Sequence, residues 1–417
     1  MLHPHVTRLD NGIRLLVVQD PLIPIMAVHM GFARGTTLIP ANQAGLGSLF
    51  AAVLTKGTSR HGSQEIAQLL GDWGARLSVE TGPDTTEILA KCVEEDFAAL
   101  LELLAAMIQT PTFPPQEVER EQLLLLQAIR SRQEQILGSL YEKVCAHLYG
   151  DHPYAQPPLG TVETVQALSR EDLIWCHRQI CQPQDMVITV VGSLAGEQVV
   201  EVVERHFGSW DPEPRVQPSL PAIMPVAPGR LLVPQDSQQT TIMLAYLGCG
   251  AGSVDFTPLS LLMHYLGNGL SSRLFVELRE KQGLAYEVSA FLALRRHPAP
   301  FVVYLATAAD NTQRALAGLE QEMALLCQEP IPAATWLRVQ RQVVGQYMLS
   351  QQTHMQIAQR LGSYELLGLG HQFAQRYPQQ IQQTTPQLAW EVAQKYLHNP
   401  TLALAGSPPT LAIVAVD

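Results

Sequence analysis

The sequence lacks the usual marks of a self-sufficient enzyme. No G-x-x-x-x-G-K-[ST] is present, no H-E-x-x-H, and no G-x-S-x-G on a strand–turn–helix pattern. This excludes the common phosphate cradle, the common zinc helix and the nucleophile elbow. The 13 histidines are scattered. His61 and Glu65 sit four apart with no second histidine, which reads as a solvated pair. The six cysteines (Cys92, Cys145, Cys176, Cys181, Cys249 and Cys327) form no C-x-x-C, so no zinc ribbon is expected. Scattered, mostly buried thiols are the reading. No apolar run reaches the roughly 18 residues that a membrane-spanning helix needs. No Lys/Arg block occurs and net charge is −11, which argues against nucleic acid and anionic membrane surfaces as partners. The first 20 residues show no basic region followed by an apolar one, so the expectation is cytoplasmic.

What is present is apolar material in plenty. Hydrophobic residues make up 47% of 417 and charged residues 16%, enough for two sizeable cores and too little charge for a disordered chain. The chain also repeats itself. Arg14–Asp20 reads RLLVVQD and Arg230–Asp236 reads RLLVPQD, an offset of 216. SREDL at Ser169 faces TTPQL at Thr384, and MVITVVGS ending at Ser193 faces TLALAGS ending at Ser407, at offsets of 215 and 214. SLFAAVLTKGT from Ser48 faces SLLMHYLGNGL from Ser260 at 212. Near-constant offsets imply two homologous halves.

Each half opens on alternating strands, continues into helices, and closes with a capped helix before a last strand. In the first half the strands fall at Ile13–Val17, at Ala27–Met30 and near Arg76–Glu80. Long helical stretches follow from Glu94 to about Gln109 and from Glu117 to about Tyr149, split by PTFPP. Ser169 with Asp172 forms a capping-box pattern, and Thr385 precedes Pro386 at a first helical position. The fold class is therefore α+β, with each half a sheet covered by helices on one face. Six prolines among Trp210–Gly229 mark a stiff linker. The expected domains are 1–209 and 230–417, joined by 210–229.

Two stretches carry the functional reading. The first is GLGSLFAAVLTKGT, Gly45–Thr58. Ser48, Ala51 and Ala52 lie at i, i+3 and i+4 on one helical face, the spacing at which a helix can offer two ligands to one zinc ion. They supply a hydroxyl and two methyl groups. The second is Leu266–Ala290, LGNGLSSRLFVELREKQGLAYEVSA. Gly267 and Gly269 loosen a loop, Ser271 or Ser272 can cap a helix, and Leu274, Phe275 and Leu278 form its apolar face. Gly283 ends it in the left-handed conformation, and Tyr286 starts a strand. Arg279 in the last turn complements the helix dipole. Read bare, these are a solvated helix end and a strand tyrosine. The alternative is that Arg279 and Tyr286 point into one cavity and there donate hydrogen bonds to a substrate carbonyl or developing oxyanion. His264, at the position matching Ala52, has no ligating partner and reads as packing or surface.

The sequence resembles the pitrilysin and mitochondrial processing peptidase family of inverzincin zinc peptidases. AGLGSLFAAVLTKGTSRHGSQEI resembles the zinc helix, which carries inverted H-x-x-E-H and typically ends in Lys-Gly-Thr. With Lys56-Gly57-Thr58 fixing the register, the histidine ligands fall on Ser48 and Ala52 and the general-base glutamate on Ala51. EREQLLLLQAI, Glu119–Ile129, matches the region of the third ligand and places it at Ala128, or at Gln127 with a neighbouring shift. SSRLFVELREKQGLAY is the most specific match, and the family's substrate-binding arginine and tyrosine fall on Arg279 and Tyr286. The resemblance implies a non-catalytic half of a heterodimer with no metal of its own. An H-x-x-E-H-bearing homologous partner would bring the zinc, and unfolded peptides or presequences would be the substrates. A structural or assembly protein of the same fold is the alternative. An independent hydrolase with other ligands finds no cluster in the sequence to support it.

Overall fold

The computed structural model describes residues 4–214, 220–224 and 226–414. Part of the expected linker, 215–219 and residue 225, lies outside them. The first half contributes β1 (His5–Arg8), β2 (Arg14–Gln19), β3 (Ile25–Phe32), α1 (Leu46–Val53), α2 (Ser63–Asp72), β4 (Arg76–Thr81), β5 (Thr86–Val93) and α3 (Phe97–Gln109). It continues with α4 (Pro115–Glu134), α5 (Ile136–Tyr149), α6 (Val162–Ala167), α7 (Arg170–Ile180), β6 (Met186–Gly192) and α8 (Gly196–Phe207). The second half runs β7 (Arg230–Pro234), β8 (Gln239–Leu247), α9 (Phe256–Gly267), a π turn (Phe275–Lys281), β9 (Glu287–Leu292), β10 (Pro300–Ala308) and α10 (Thr312–Gln328). It ends with α11 (Ala333–Leu349), α12 (His354–Leu366), α13 (Phe373–Gln383), α14 (Pro386–Tyr396), β11 (Thr401–Gly406) and α15 (Pro408–Val414).

The repeat read from the sequence is a repeat of topology. One sheet has the order β1-β2-β6-β3-β5-β4 and the other β7-β11-β8-β10-β9. Apart from the extra β1, the two orders are the same. RLLVVQ is β2 and pairs parallel with the last strand of its half, β6; RLLVP is β7 and pairs parallel with β11. The caps also hold. The Ser169 hydroxyl accepts from the Asp172 amide while the Asp172 carboxylate accepts from the Ser169 amide at 2.8 Å, and the Thr385 hydroxyl accepts from the Leu388 amide at 3.1 Å ahead of Pro386.

The chain forms two compact units, and each takes segments from both halves. One comprises Met1–Ser131, Gln156–Leu220 and Leu349–Gln375; the other comprises Arg132–Ala155, Pro221–Met348 and Arg376–Asp417. In the first unit, one sheet face (Leu15, Val17, Met26, Val28, Met30, Ile188, Val190) packs under α1, α3, α7 and α8. The sequence led to the expectation of helices on this one face alone. The opposite face (Leu16, Val18, Ala27, Val187, Val191) is also covered, by α12 through Ala358, Leu361 and Leu366. In the second unit α5 takes the corresponding place, packing Leu140, Val144 and Cys145 on Met243, Ala245, Ala403 and Ala405. The stretch expected as one helix to Tyr149 is thus two, broken at Gln135, where ψ turns to 98°.

Close approach beneath α12 depends on two glycines. A Cβ at Gly31 would lie 2.3 Å from Leu366 Cδ1, and one at Gly362 would lie 2.0 Å from Nδ1 of the fully buried His29. The His29 ring is held by its Nε2–H donating to Glu87 at 2.9 Å, and Glu87 also accepts from Thr85 and Ser363, each at 3.0 Å. Burial alone would raise the Glu87 pKa; the hydrogen bond and charge of His29, with the two hydroxyls, more than offset this and hold it below the ordinary carboxylate value.

Candidate functional site

The helix α1 begins at Gly45, whose φ of +95° is open to glycine at little cost. A Cβ there would sit 2.6 Å from the Leu159 carbonyl oxygen. Leu46, Leu49, Phe50 and Val53 are buried, and so is Ala51. Ser48 and Ala52 form the part-exposed stripe. The Ser48 hydroxyl donates to the Pro158 carbonyl at 2.8 Å. On α4, Val118, Leu125 and Ile129 face the core, while Ala128 and Gln127 are exposed. A zinc ion needs three protein donors at catalytic distance. These positions offer one hydroxyl, already committed to a carbonyl, and three methyl groups. They do not fit a zinc ion. Among the described residues, no three His, Cys, Asp or Glu side chains lie close enough to hold a metal.

Lys56-Gly57-Thr58, just after α1, has structural work at each residue. Lys56 Nζ pairs with Glu121 of α4 at 2.9 Å. Gly57 lets the chain pass Thr112, whose hydroxyl oxygen would lie 2.5 Å from a Cβ. The Thr58 hydroxyl accepts from the amides of Arg60 and His61 at 3.2 and 2.9 Å, closing the turn. His61 and Glu65 are the part-exposed pair expected, 3.9 Å apart, with Glu65 capping the Gly62 amide. Cys327 is half-buried and the other five thiols are buried; none is in a disulfide.

The second stretch departs from expectation in one respect. The segment after Ser272 is not an ordinary α-helix; Phe275–Lys281 is a π turn, with i→i+5 bonding. A four-residue spacing stays near one face in either geometry, so the apolar pattern of Leu274 and Leu278, both fully buried, could not distinguish them. Gly283 does adopt the left-handed conformation at φ +64°. Its amide donates to the Arg279 carbonyl at 3.1 Å, and the Leu284 amide to that of Leu278 at 2.8 Å. Tyr286 is tied by its amide to the Ala306 carbonyl at 2.9 Å, next to β9, the edge strand of its sheet. Its side chain is 59% exposed. Arg279 is also exposed, with its guanidinium carbon 5.0 Å from the centre of the Phe275 ring. Contrary to the expectation of a shared cavity, neither residue lines the one of about 430 Å³ bounded by His264, Tyr265, Arg273, Glu277, Arg338 and Gln342. There His264 accepts from Asn268 at 2.6 Å, and burial lowers its pKa. It is a packed histidine, as the sequence suggested. The π turn and the cavity beside it are what sequence reasoning missed; two glycines at 267 and 269 were the only local sign.

Two α+β repeats, the first bearing a helix without metal donors and the second a loop–turn–strand with an exposed Arg and Tyr, define a peptidase-type fold without the metal-binding residues. The chain belongs to the M16 peptidase family. The model described as "Insulinase (Peptidase family M16)" matches residues 14–162, and the one described as "Peptidase M16 inactive domain" matches 167–343. Similar curated proteins include an uncharacterized zinc protease of Mycobacterium leprae, 27% identical over 397 residues (94% of this chain, 89% of that protein). Another is an uncharacterized zinc protease of Bacillus subtilis, 24% identical over 362 residues (86% and 87%). The fold matches a peptidase M16 inactive domain from Pseudomonas fluorescens with a TM-score of 0.91 at 21% identity, covering 97% of this chain and 98% of that one. It matches a protease from Helicobacter pylori at 0.89 and 20%, covering 97% and 100%. Among the described residues no helix is long and apolar enough to cross a membrane.

Proposed function

We propose that this chain is the non-catalytic, substrate-binding subunit of a heterodimeric zinc processing peptidase that hydrolyses peptides or presequences. Its partner is a homologous subunit carrying H-x-x-E-H, which supplies the zinc and with it an activated water. The observation that carries the reading is an asymmetry. The α1 stripe holds a committed hydroxyl and a methyl group where ligands would be, while Arg279 and Tyr286 stand exposed, their side-chain donors without a partner among the described residues. In this reading Arg279 donates from its guanidinium to a carbonyl oxygen of an extended peptide, and the Tyr286 hydroxyl donates to the same oxygen or the next. This chain's part is to bind and orient the peptide, and to stabilise charge that develops on that oxygen.

The test is to purify the chain alone, measure its zinc by plasma mass spectrometry, and assay cleavage of a quenched-fluorescent unfolded basic peptide. The H-x-x-E-H homologue from the same genome is then added. Substoichiometric zinc and no cleavage alone, with cleavage in the mixture above that of the partner alone, is the expected result. A mixture no faster than the partner alone supports a scaffold role instead. Chelator-sensitive cleavage by the isolated chain overturns the proposal.

A further inference from the structure

Arg279 is the cation on which the proposed clamp depends, and the inference drawn here rests on that reading. A free guanidinium on a surface turn has two ways of being in the wrong place. It can swing through solvent, or it can fold onto a neighbouring carboxylate. One neighbouring carboxylate is already engaged. Glu277, two residues before it, is held by Arg273 at 3.3 Å and by Lys281 at 2.9 Å. Arg273 also binds Glu322, at 2.6 Å. Arg279 itself makes no ion pair or side-chain hydrogen bond among the described residues. What it has is the Phe275 ring, one π turn back, at 5.0 Å. The turn is anchored beneath by Leu274 and Leu278, both fully buried, while the Phe275 ring is half-buried.

We infer that Phe275 is a positioning residue. Its ring face holds the Arg279 guanidinium in one place while leaving all its N–H donors unspent for a peptide oxygen. An aromatic platform suits this task. It attracts the cation through its quadrupole yet accepts none of the in-plane hydrogen bonds that a carboxylate would take. Residues four apart in the turn lie near one face, which sets the guanidinium against the ring.

The experiment is a binding titration on the full chain, followed by the anisotropy of a fluorescein-labelled, arginine-containing 20-residue unstructured peptide. Arg279→Ala is expected to weaken binding strongly. Phe275→Leu, which keeps the apolar anchor and removes the ring face, should weaken it by about two- to fivefold, the size of an exposed cation–π contact. Phe275→Trp should bind as well as wild type or better. Phe275→Leu combined with Arg279→Ala should bind no worse than Arg279→Ala, because the ring acts only through the arginine. Phe275→Leu at wild-type affinity, or additive with Arg279→Ala, overturns the inference while leaving the clamp standing. If Phe275→Leu weakens binding and Phe275→Trp fails to restore it, the ring has a packing role only, and the inference falls. Arg279→Ala at wild-type affinity, or a wild-type chain that does not bind the peptide, overturns the clamp itself.

Discussion

Adding one methyl group to a helix is expected to have opposite effects at two places in this chain. Gly362 lies in α12 where the helix crosses the buried face of the first sheet. An alanine Cβ there would sit 2.0 Å from His29 Nδ1 and 2.4 Å from Cε1. The ring cannot step aside. It is fully buried on β3 and its other nitrogen is fixed to Glu87 at 2.9 Å. Either α12 lifts or the histidine leaves its rotamer and its carboxylate, so Gly362→Ala should destabilise by about 2–3 kcal/mol, the upper part of the overpacking range. For a unit of this size that is a fall of roughly 4–12 °C in melting temperature. Gly345 is the control: it sits exposed in α11 with nothing within 4 Å of its would-be Cβ. Gly345→Ala should gain about 0.5–1 kcal/mol from helix propensity and a stiffer unfolded chain. Both are read by circular dichroism melts and urea titrations. His29→Ala added to Gly362→Ala should recover part of the loss, since it removes the atoms struck. A Gly362→Ala chain as stable as wild type would refute the claimed closeness of α12 to the sheet.

Three further outcomes are expected. In the complex with the metal-bearing partner, Arg279→Ala should lower kcat by about 10²–10³, as loss of one oxyanion donor does; Tyr286→Phe tests the second donor, and an unchanged kcat for both would remove the clamp. Because Glu87 titrates below its ordinary value in the folded chain, the stability it contributes is present above pH 4.5 and is lost as pH falls through its lowered folded value. Urea midpoints of wild type and Glu87→Gln should therefore converge across that acid window, and parallel curves would contradict the assignment. Burial pushes the thiol of Cys249 up to about 11 and that of Cys92 to about 12, so Ellman's reagent should find at most the half-buried Cys327 in the native chain and all six thiols in guanidinium.

The parts of the fold that were legible in the sequence are those where one local rule decides. The repeat was visible because RLLVVQD and RLLVPQD form strands with the same parallel neighbour, the last strand of their own half, and a matching place in the sheet asks for similar residues. The Ser169 and Thr385 caps could be read because a side-chain oxygen three residues before a helical amide is a local event. The exchange of α5 and α12 was not legible. Both are amphipathic helices of ordinary pattern, and nothing in their period says which sheet they cover; that is set by chain path, not by local chemistry. Gly362 is a mid-helix glycine like the exposed Gly345, so it gave no sign of its close packing, and its partner His29 lies more than 330 residues away. The break at Gln135 and the π turn escaped for a related reason, since apolar spacing of four residues fits the structures on both sides of each choice.

The candidate site divides in the same way, and the division bears on why Lys56-Gly57-Thr58 is present in a chain without zinc ligands. Those three residues look like an appendage of metal chemistry when read in sequence. In the fold, each has a partner that has nothing to do with metal: Glu121, the backbone and side chain near Thr112, and two turn amides. Removing Lys56 would leave the Glu121 carboxylate, mostly buried, without its counter-charge, which costs more than the pair gains. Replacing Ser48, Ala51 and Ala52, by contrast, touches part-exposed or small positions whose side chains hold little together beyond one hydroxyl on Pro158. A helix can therefore lose its ligands and remain in place, while the turn that follows it cannot change without loosening α1 from α4. The persistence of the turn is evidence about packing alone. A role in peptide binding rests instead on Arg279 and Tyr286, which stand exposed and contribute nothing to the core.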